Sequence, residues 1–122
     1  MFGTGAALDC WSSLTPIMAQ TADLSPTIVE TLYGEGSKQS RDLAYRDALA
    51  AMHADYPDNL EVAAFYALSI LGSVYERDVR TYMQAAAIAE EVFAKEPNHP
   101  GAAHYLIHSY DDQVHAPLGL RA

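Results

Sequence analysis

The sequence predicts an all-α protein of antiparallel helical hairpins, and three observations carry that prediction. From Ser40 onward apolar residues recur at i, i+4, i+7 and i+11, which is the spacing of one helix face. Pro57, Pro97 and Pro100 stand between the periodic stretches, where a ring that fixes φ and lacks an N–H ends or opens a helix. No stretch shows the period-2 alternation or β-branched enrichment of a strand, and alanine-rich runs favour helix by propensity.

The elements follow in order. Residues 1–36 read as an N-terminal arm with short helices, and residues 37–122 as a helical repeat domain. In the arm, Leu8, Trp11, Leu14, Ile17 and Met18 are scattered, and Thr15-Pro16 offers a helix start. Gly3-Thr-Gly5 is too short for a phosphate loop and has no strand before it. Cys10 has no nearby His, Lys or Arg to activate a thiol. Ser25-Pro26 is a better start signal, and Ile28, Val29, Leu32 and Tyr33 form a stripe that stops at Gly34.

The next helix carries Tyr45, Leu49, Met52 and Tyr56 on one face and ends at Pro57. Asp58 followed by Glu61 has the spacing of a capping box, opening a helix whose buried stripe is Leu60, Ala64, Leu68 and Leu71, closed near Gly72-Ser73. A third helix of this domain covers about Val79 to Lys95, with Tyr82, Ala86, Ala89 and Phe93 on one face, and stops before Pro97. The fourth starts at Pro100 and runs to about Tyr110.

Composition narrows the function classes. A chain of 122 residues with 50% hydrophobic and 19% charged residues has the length of one domain and enough apolar surface for a core. A formal charge of -9 repels phosphate backbones and anionic lipid, so nucleic acid and membrane are poor partners and a basic protein or peptide is favoured. The longest apolar candidate, Ala63 to Val74, falls short of the roughly 18–20 residues that span a bilayer. One cysteine forms no internal disulfide, and Met1-Phe-Gly-Thr-Gly5 lacks a basic n-region and apolar h-region, so the expected location is cytoplasmic.

The helices repeat. A shift of forty residues lays Ala54-Asp-Tyr-Pro-Asp-Asn59 onto Ala94-Lys-Glu-Pro-Asn-His99, with Met52 on Val92, Ala63 on Ala103 and Phe65 on Tyr105. Small residues at Ala63, Ala64, Ala85, Ala86, Ala89, Ala102 and Ala103 let neighbouring helices approach closely.

Ala85, Val92 and Pro97 together resemble the second helix of a tetratricopeptide (TPR) unit. More specifically, Ala51-Met-His-Ala-Asp-Tyr-Pro-Asp-Asn, Phe65-Tyr-Ala-Leu and Pro97-Asn-His-Pro-Gly-Ala-Ala-His-Tyr-Leu-Ile-His-Ser-Tyr-Asp111 resemble runs in one family of bacterial TPR proteins. The resemblance covers roughly residues 37–122 and implies a TPR-like α-solenoid. The period exceeds the TPR norm of about 34 residues, the extra length falling around Glu76 to Thr81. Members of that family are several times longer, and in them the segment resembling Ala116-Pro-Leu-Gly-Leu-Arg121 opens another helix. The expectation is therefore of a solenoid fragment with an uncapped apolar end that self-associates as a homodimer.

One polar constellation stands out: His104, His108, Asp111 and Asp112, with His115 after it and His99 before it. His104 and His108 lie one turn apart on one helix face, and Asp111 or Asp112 extends the row, so the set suits Zn²⁺ or another divalent metal. Tyr105 occupies the place of the glutamate in the zinc-protease motif, and no protease follows. The competing expectation is structural. His104 and His108 take the register of Ala64 and Leu68, which puts them in the packing seam between helices. His99, before Pro100, reads as a helix cap or turn residue, and His53 as an edge residue. Most of the eight tyrosines read as core residues, with Tyr66 and Tyr105 as candidates to stack against a partner.

These observations favour a non-catalytic interaction or scaffold module without a cofactor. Its concave surface is expected from residues 60–72 and 100–110, the first helix of each hairpin. The alternatives are a divalent-metal-binding protein using the His-x3-His pair with Asp, and an enzyme using a His–Asp pair as general base.

Overall fold

The computed structural model describes residues 25–122, the side chains of residues 25–27 and 29 excepted. The expectations on Thr15-Pro16, Cys10 and Trp11 lie outside the described residues. Among the described residues five α-helices follow one another: α1 Ser25–Tyr33, α2 Lys38–Asp55, α3 Leu60–Gly72, α4 Val79–Lys95 and α5 Pro100–Ser109, then a 3-10 segment Ala116–Arg121. No strand occurs among the described residues, and the protein is all-α.

Each boundary has a local cause. The chain leaves α1 through a bend at Gly34 to Gly36, and Gly36 has a φ of 106°, where a side chain is strained and an added Cβ would meet Ser40 Oγ at 2.6 Å. Ser37 caps α2, its Oγ accepting from the Ser40 N–H at 3.1 Å. Asp78 caps α4, accepting from the Thr81 N–H at 3.1 Å.

The turn between α2 and α3 corrects one sequence expectation. Asn59, and not Asp58, is the N-cap of α3: its Oδ1 accepts from the N–H groups of Glu61 (3.1 Å) and Val62 (3.2 Å). Two hydrogen-bonding side chains stand side by side here, and the backbone decides between them. The Asn59 N–H donates to the Tyr56 carbonyl at 3.1 Å, which leaves Asn59 in the extended conformation a cap requires.

The same turn is built again forty residues later. Glu96 N–H donates to Val92 O (2.8 Å) as Tyr56 N–H does to Met52 O (2.9 Å), and His99 N–H donates to Glu96 O at 3.0 Å. Ala103 N–H reaches His99 O at 3.2 Å as Ala63 N–H reaches Asn59 O at 3.1 Å. The sequence repeat is thus a repeat of backbone hydrogen bonding, with α2–α3 and α4–α5 as its two hairpins.

Three apolar clusters hold the helices. Leu49 and Met52 of α2 pack on Val62 of α3, with Tyr45, Tyr56, Phe65 and Tyr66 around them. Ala63, Val92 and Ala102 join α3, α4 and α5 near the start of the second turn. Ala67, Ala86, Ala89, Leu106 and Tyr110 continue that seam, and methyl groups at the first three let the helix backbones come close. Of the small residues singled out in the sequence, Ala63, Ala86, Ala89 and Ala102 lie in these clusters, Ala64 and Ala85 are buried, and Ala103 is half-buried.

After α5 the chain turns over Asp112 and folds back as the 3-10 segment, rather than opening as an α-helical first turn. A Cβ added at Gly119 would lie 3.8 Å from both Ile107 Cα and Tyr110 Cβ, and Arg121 Nη2 pairs with Glu90 of α4. The Tyr110 hydroxyl donates to the same Glu90 oxygen at 2.8 Å.

Candidate functional site

Two polar clamps hold the ends of α5, one to α3 and one to the α3–α4 loop. At its N-terminus His99 is the cap, Nδ1 accepting from the Ala102 N–H at 3.1 Å, while Nε2 lies 3.1 Å from Glu61 Oε1 on the first turn of α3. A ring nitrogen that accepts carries no proton, so the neutral ring performs both tasks with its proton on Nε2, donated to Glu61. The Glu61 carboxylate raises the His99 pKa above the usual imidazole value, against the opposing effect of burial. The cap also resists that rise, since a proton on Nδ1 takes the lone pair from Ala102.

At the far end of α5, Arg77 in the α3–α4 loop donates from Nη2 to the Ser109 carbonyl (3.2 Å) and to Asp112 (3.4 Å), with its guanidinium 4.1 Å from the centre of the Tyr82 ring. Asp112 also accepts from the N–H groups of Val114 (2.8 Å) and His115 (2.9 Å) and from His115 Nδ1. These donors, the backbone N–H of His115 first, hold the Asp112 carboxyl down at about 2.

Between the clamps α3 and α5 leave a groove of about 400 Å³. Leu68, Leu71 and Gly72 line it from α3, Tyr82 from α4, His104, Tyr105 and His108 from α5, with Arg77 and Asp111 at its end. The groove lies on the residues 60–72 and 100–110 that the sequence singles out, but these form the second helix, not the first, of the α2–α3 and α4–α5 hairpins.

The placement of the histidines differs from the seam expected of them. His104 and His108 are exposed, their ring centroids 4.7 Å apart. Ala64, the register equivalent of His104, differs from it in cover because α3 packs against α2, α4 and α5, whereas α5 packs against α4, α3 and the 3-10 segment; Leu68, the equivalent of His108, is exposed as His108 is. Ala64 is buried in that arrangement, and Leu68 is 37% exposed at the groove.

The candidate metal residues divide in the same way. His104, His108 and Asp111 share the groove; Asp112 is turned away to His115, Arg77 and the backbone. Among the described residues no three His, Cys, Asp or Glu side chains are gathered about one point. Of the tyrosines proposed for a partner, Tyr105 lines the groove, whereas Tyr66 packs in the α2–α3 cluster with its ring 5.7 Å from that of His53. Arg77 and Tyr82 are groove residues that the sequence did not mark, since only the fold brings a loop arginine over an aromatic ring of α4.

Comparison of the chain with protein-family models, with curated proteins and with solved structures returns no match. Among the described residues no helix is long and apolar enough to cross a membrane.

Proposed function

We propose that this chain is a TPR-like, non-catalytic interaction module whose groove between α3 and α5 takes a peptide segment of a partner protein. The observation that carries the reading is the groove itself. Leu68 and Leu71 give it an apolar floor, and side chains of varied hydrogen-bonding character, Arg77, Tyr82, His104, His108 and Asp111, converge around that floor. The twice-built turn and paired hairpins support the TPR-like description. The partner is basic: a charge of -9 draws a cationic segment from a distance, Asp111 meets it in the groove, and Arg77 is partly neutralised by Asp112.

Peptides selected from a random library on the full chain test this. Selected sequences carry Lys or Arg beside an apolar anchor and lose roughly tenfold or more in affinity on Leu68→Glu. Ala87→Glu, on the exposed face of α4 outside the groove lining, leaves them unchanged. Equal binding to both variants refutes the groove.

A second copy of the chain is proposed to cover apolar side chains exposed on and after α5: Ile107, Val114, Leu118 and Leu120, the last 88% exposed. Sedimentation equilibrium over a range of concentration, with and without chelator, reads this directly. Val114→Glu with Leu120→Glu shifts the dimer to monomer, and a wild-type chain monomeric throughout ends this part of the reading.

A further inference from the structure

We propose that His104 and His108, joined by Asp111, bind one divalent transition-metal ion, of which Zn²⁺ is the representative, at the wall of the groove.

The five histidines of this chain are held differently. His99 has both ring nitrogens engaged, with Ala102 and Glu61, and His115 has Nδ1 on Asp112. His53 is half-buried with its ring against Tyr66. Only His104 and His108 are exposed, with ring centroids 4.7 Å apart on one face, and without a hydrogen-bond partner among the described residues. Imidazoles at i and i+4 on a helix reach a common point beyond the helix surface, and their lone pairs suit borderline divalent ions.

The adjacent carboxylates sort the third ligand. Asp112 is committed to two backbone N–H groups, His115 and Arg77. Asp111 lines the same groove as the two histidines, is exposed, and has no hydrogen-bond partner among the described residues. The three side chains are not gathered about one point in the structure, and rotation of the exposed Asp111 side chain, which breaks no hydrogen bond among the described residues, is the movement the site requires. Two imidazoles and one carboxylate make an open site, in which the remaining position is left to water or to a donor atom of whatever occupies the groove. The inference rests on the groove described above but not on a peptide being its occupant.

The experiment is titration of the untagged full chain with ZnCl₂ by calorimetry, with Co²⁺ as a spectroscopic probe of the ligand set. The expected result is saturation at one ion per chain. His104→Ala and His108→Ala each weaken binding by about a hundredfold or more, and Asp111→Asn by about tenfold. Asp112→Asn and His115→Ala leave it within about twofold, and circular dichroism of the exposed-residue variants stays that of the parent. Acidification weakens binding, because protons compete for the same lone pairs.

Absence of saturable binding overturns the proposal, as does binding that survives both histidine substitutions. Saturation at one ion per two chains overturns it too, since that describes an ion bridging two copies. Peptide affinity measured in chelator separates this outcome from the fate of the groove: peptides that bind there without metal leave the interaction reading standing.

Discussion

His99→Ala and Asn59→Ala remove equivalent caps forty residues apart, and the difference between them measures what the second hairpin adds. Asn59 serves its own helix alone, its Oδ1 held by Glu61 and Val62 N–H, and replacing such a cap by alanine costs about 1 kcal/mol. His99 serves α5 in the same way but also donates to Glu61 across the hairpin junction. A hydrogen bond to a charged acceptor in a half-buried site adds about 1 kcal/mol after Glu61 regains water, for a total near 2 kcal/mol. With an unfolding entropy of about 2.1 cal/mol/K per residue, a chain of this size loses roughly 4 °C in Tm for each kcal/mol. Asn59→Ala should therefore melt about 4 °C below the parent and His99→Ala about 8 °C below it, at pH 7.5 in thermal scans followed at 222 nm. Glu61→Gln alone and combined with His99→Ala closes a double-mutant cycle, with an expected coupling of about 1 kcal/mol. Equal losses for the two cap variants, with coupling below about 0.3 kcal/mol, would refute the clamp and reduce His99 to an ordinary cap.

Other perturbations separate the remaining claims. Ala89→Leu forces a side chain into a seam where the alanine is wholly buried, and should cost about 1–3 kcal/mol, whereas Ala87→Leu on the exposed face stays within about 0.5 kcal/mol by urea unfolding. The Asp112 carboxyl is held at about 2, below the unfolded value of about 3.9, so its contribution is fully present above pH 4 and fades as pH falls toward 2. Asp112→Asn should flatten the parent's fall in Tm over that window; an unchanged acid profile refutes the assignment. Gly72→Ala adds a methyl with nothing within 4 Å at the end of α3 and should stabilise by about 0.5–1 kcal/mol, whereas Gly36→Ala, at a φ of 106° and against Ser40, should destabilise by more than that.

The helices were legible because their signals are local. Pro57 and Pro97 mark the turns, alanines at period 3.6 mark the seams, and His99 before Pro100 marks a cap. Asn59 was misplaced by one residue because Asp58 and Asn59 both suit a cap, and the choice depends on a hydrogen bond to Tyr56 that no spacing rule reports. The histidines of α5 were misplaced for a different reason. Register says which face a residue shares, but cover depends on what packs there: α2 and α4 both pack on α3, which leaves Ala64 buried and its equivalent His104 exposed. Arg77 fell outside every pattern, since a loop residue gains its role only when the fold brings Tyr82, Ser109 and Asp112 to it.

That same difference in cover explains where the groove opens. Near the start of α3 and α5, Ala63 and Ala102 meet Val92 with almost no exposed surface, and the His99–Glu61 contact closes the remaining gap. Toward their ends the facing residues become Leu68 and Leu71 on one helix and His104 and His108 on the other, too long to interdigitate as methyl groups do, and Gly72 contributes no side chain. Arg77 then bridges the loop before α4 to the end of α5 instead of a close packing contact, with a solvent-exposed ion pair worth little by itself. The seam of alanines fixes the helix separation and the clamps fix its ends. Of the groups that line the opening they frame, His104, His108 and Asp111 are left exposed by the described fold, which is the physical ground for proposing both a peptide and a metal ion there.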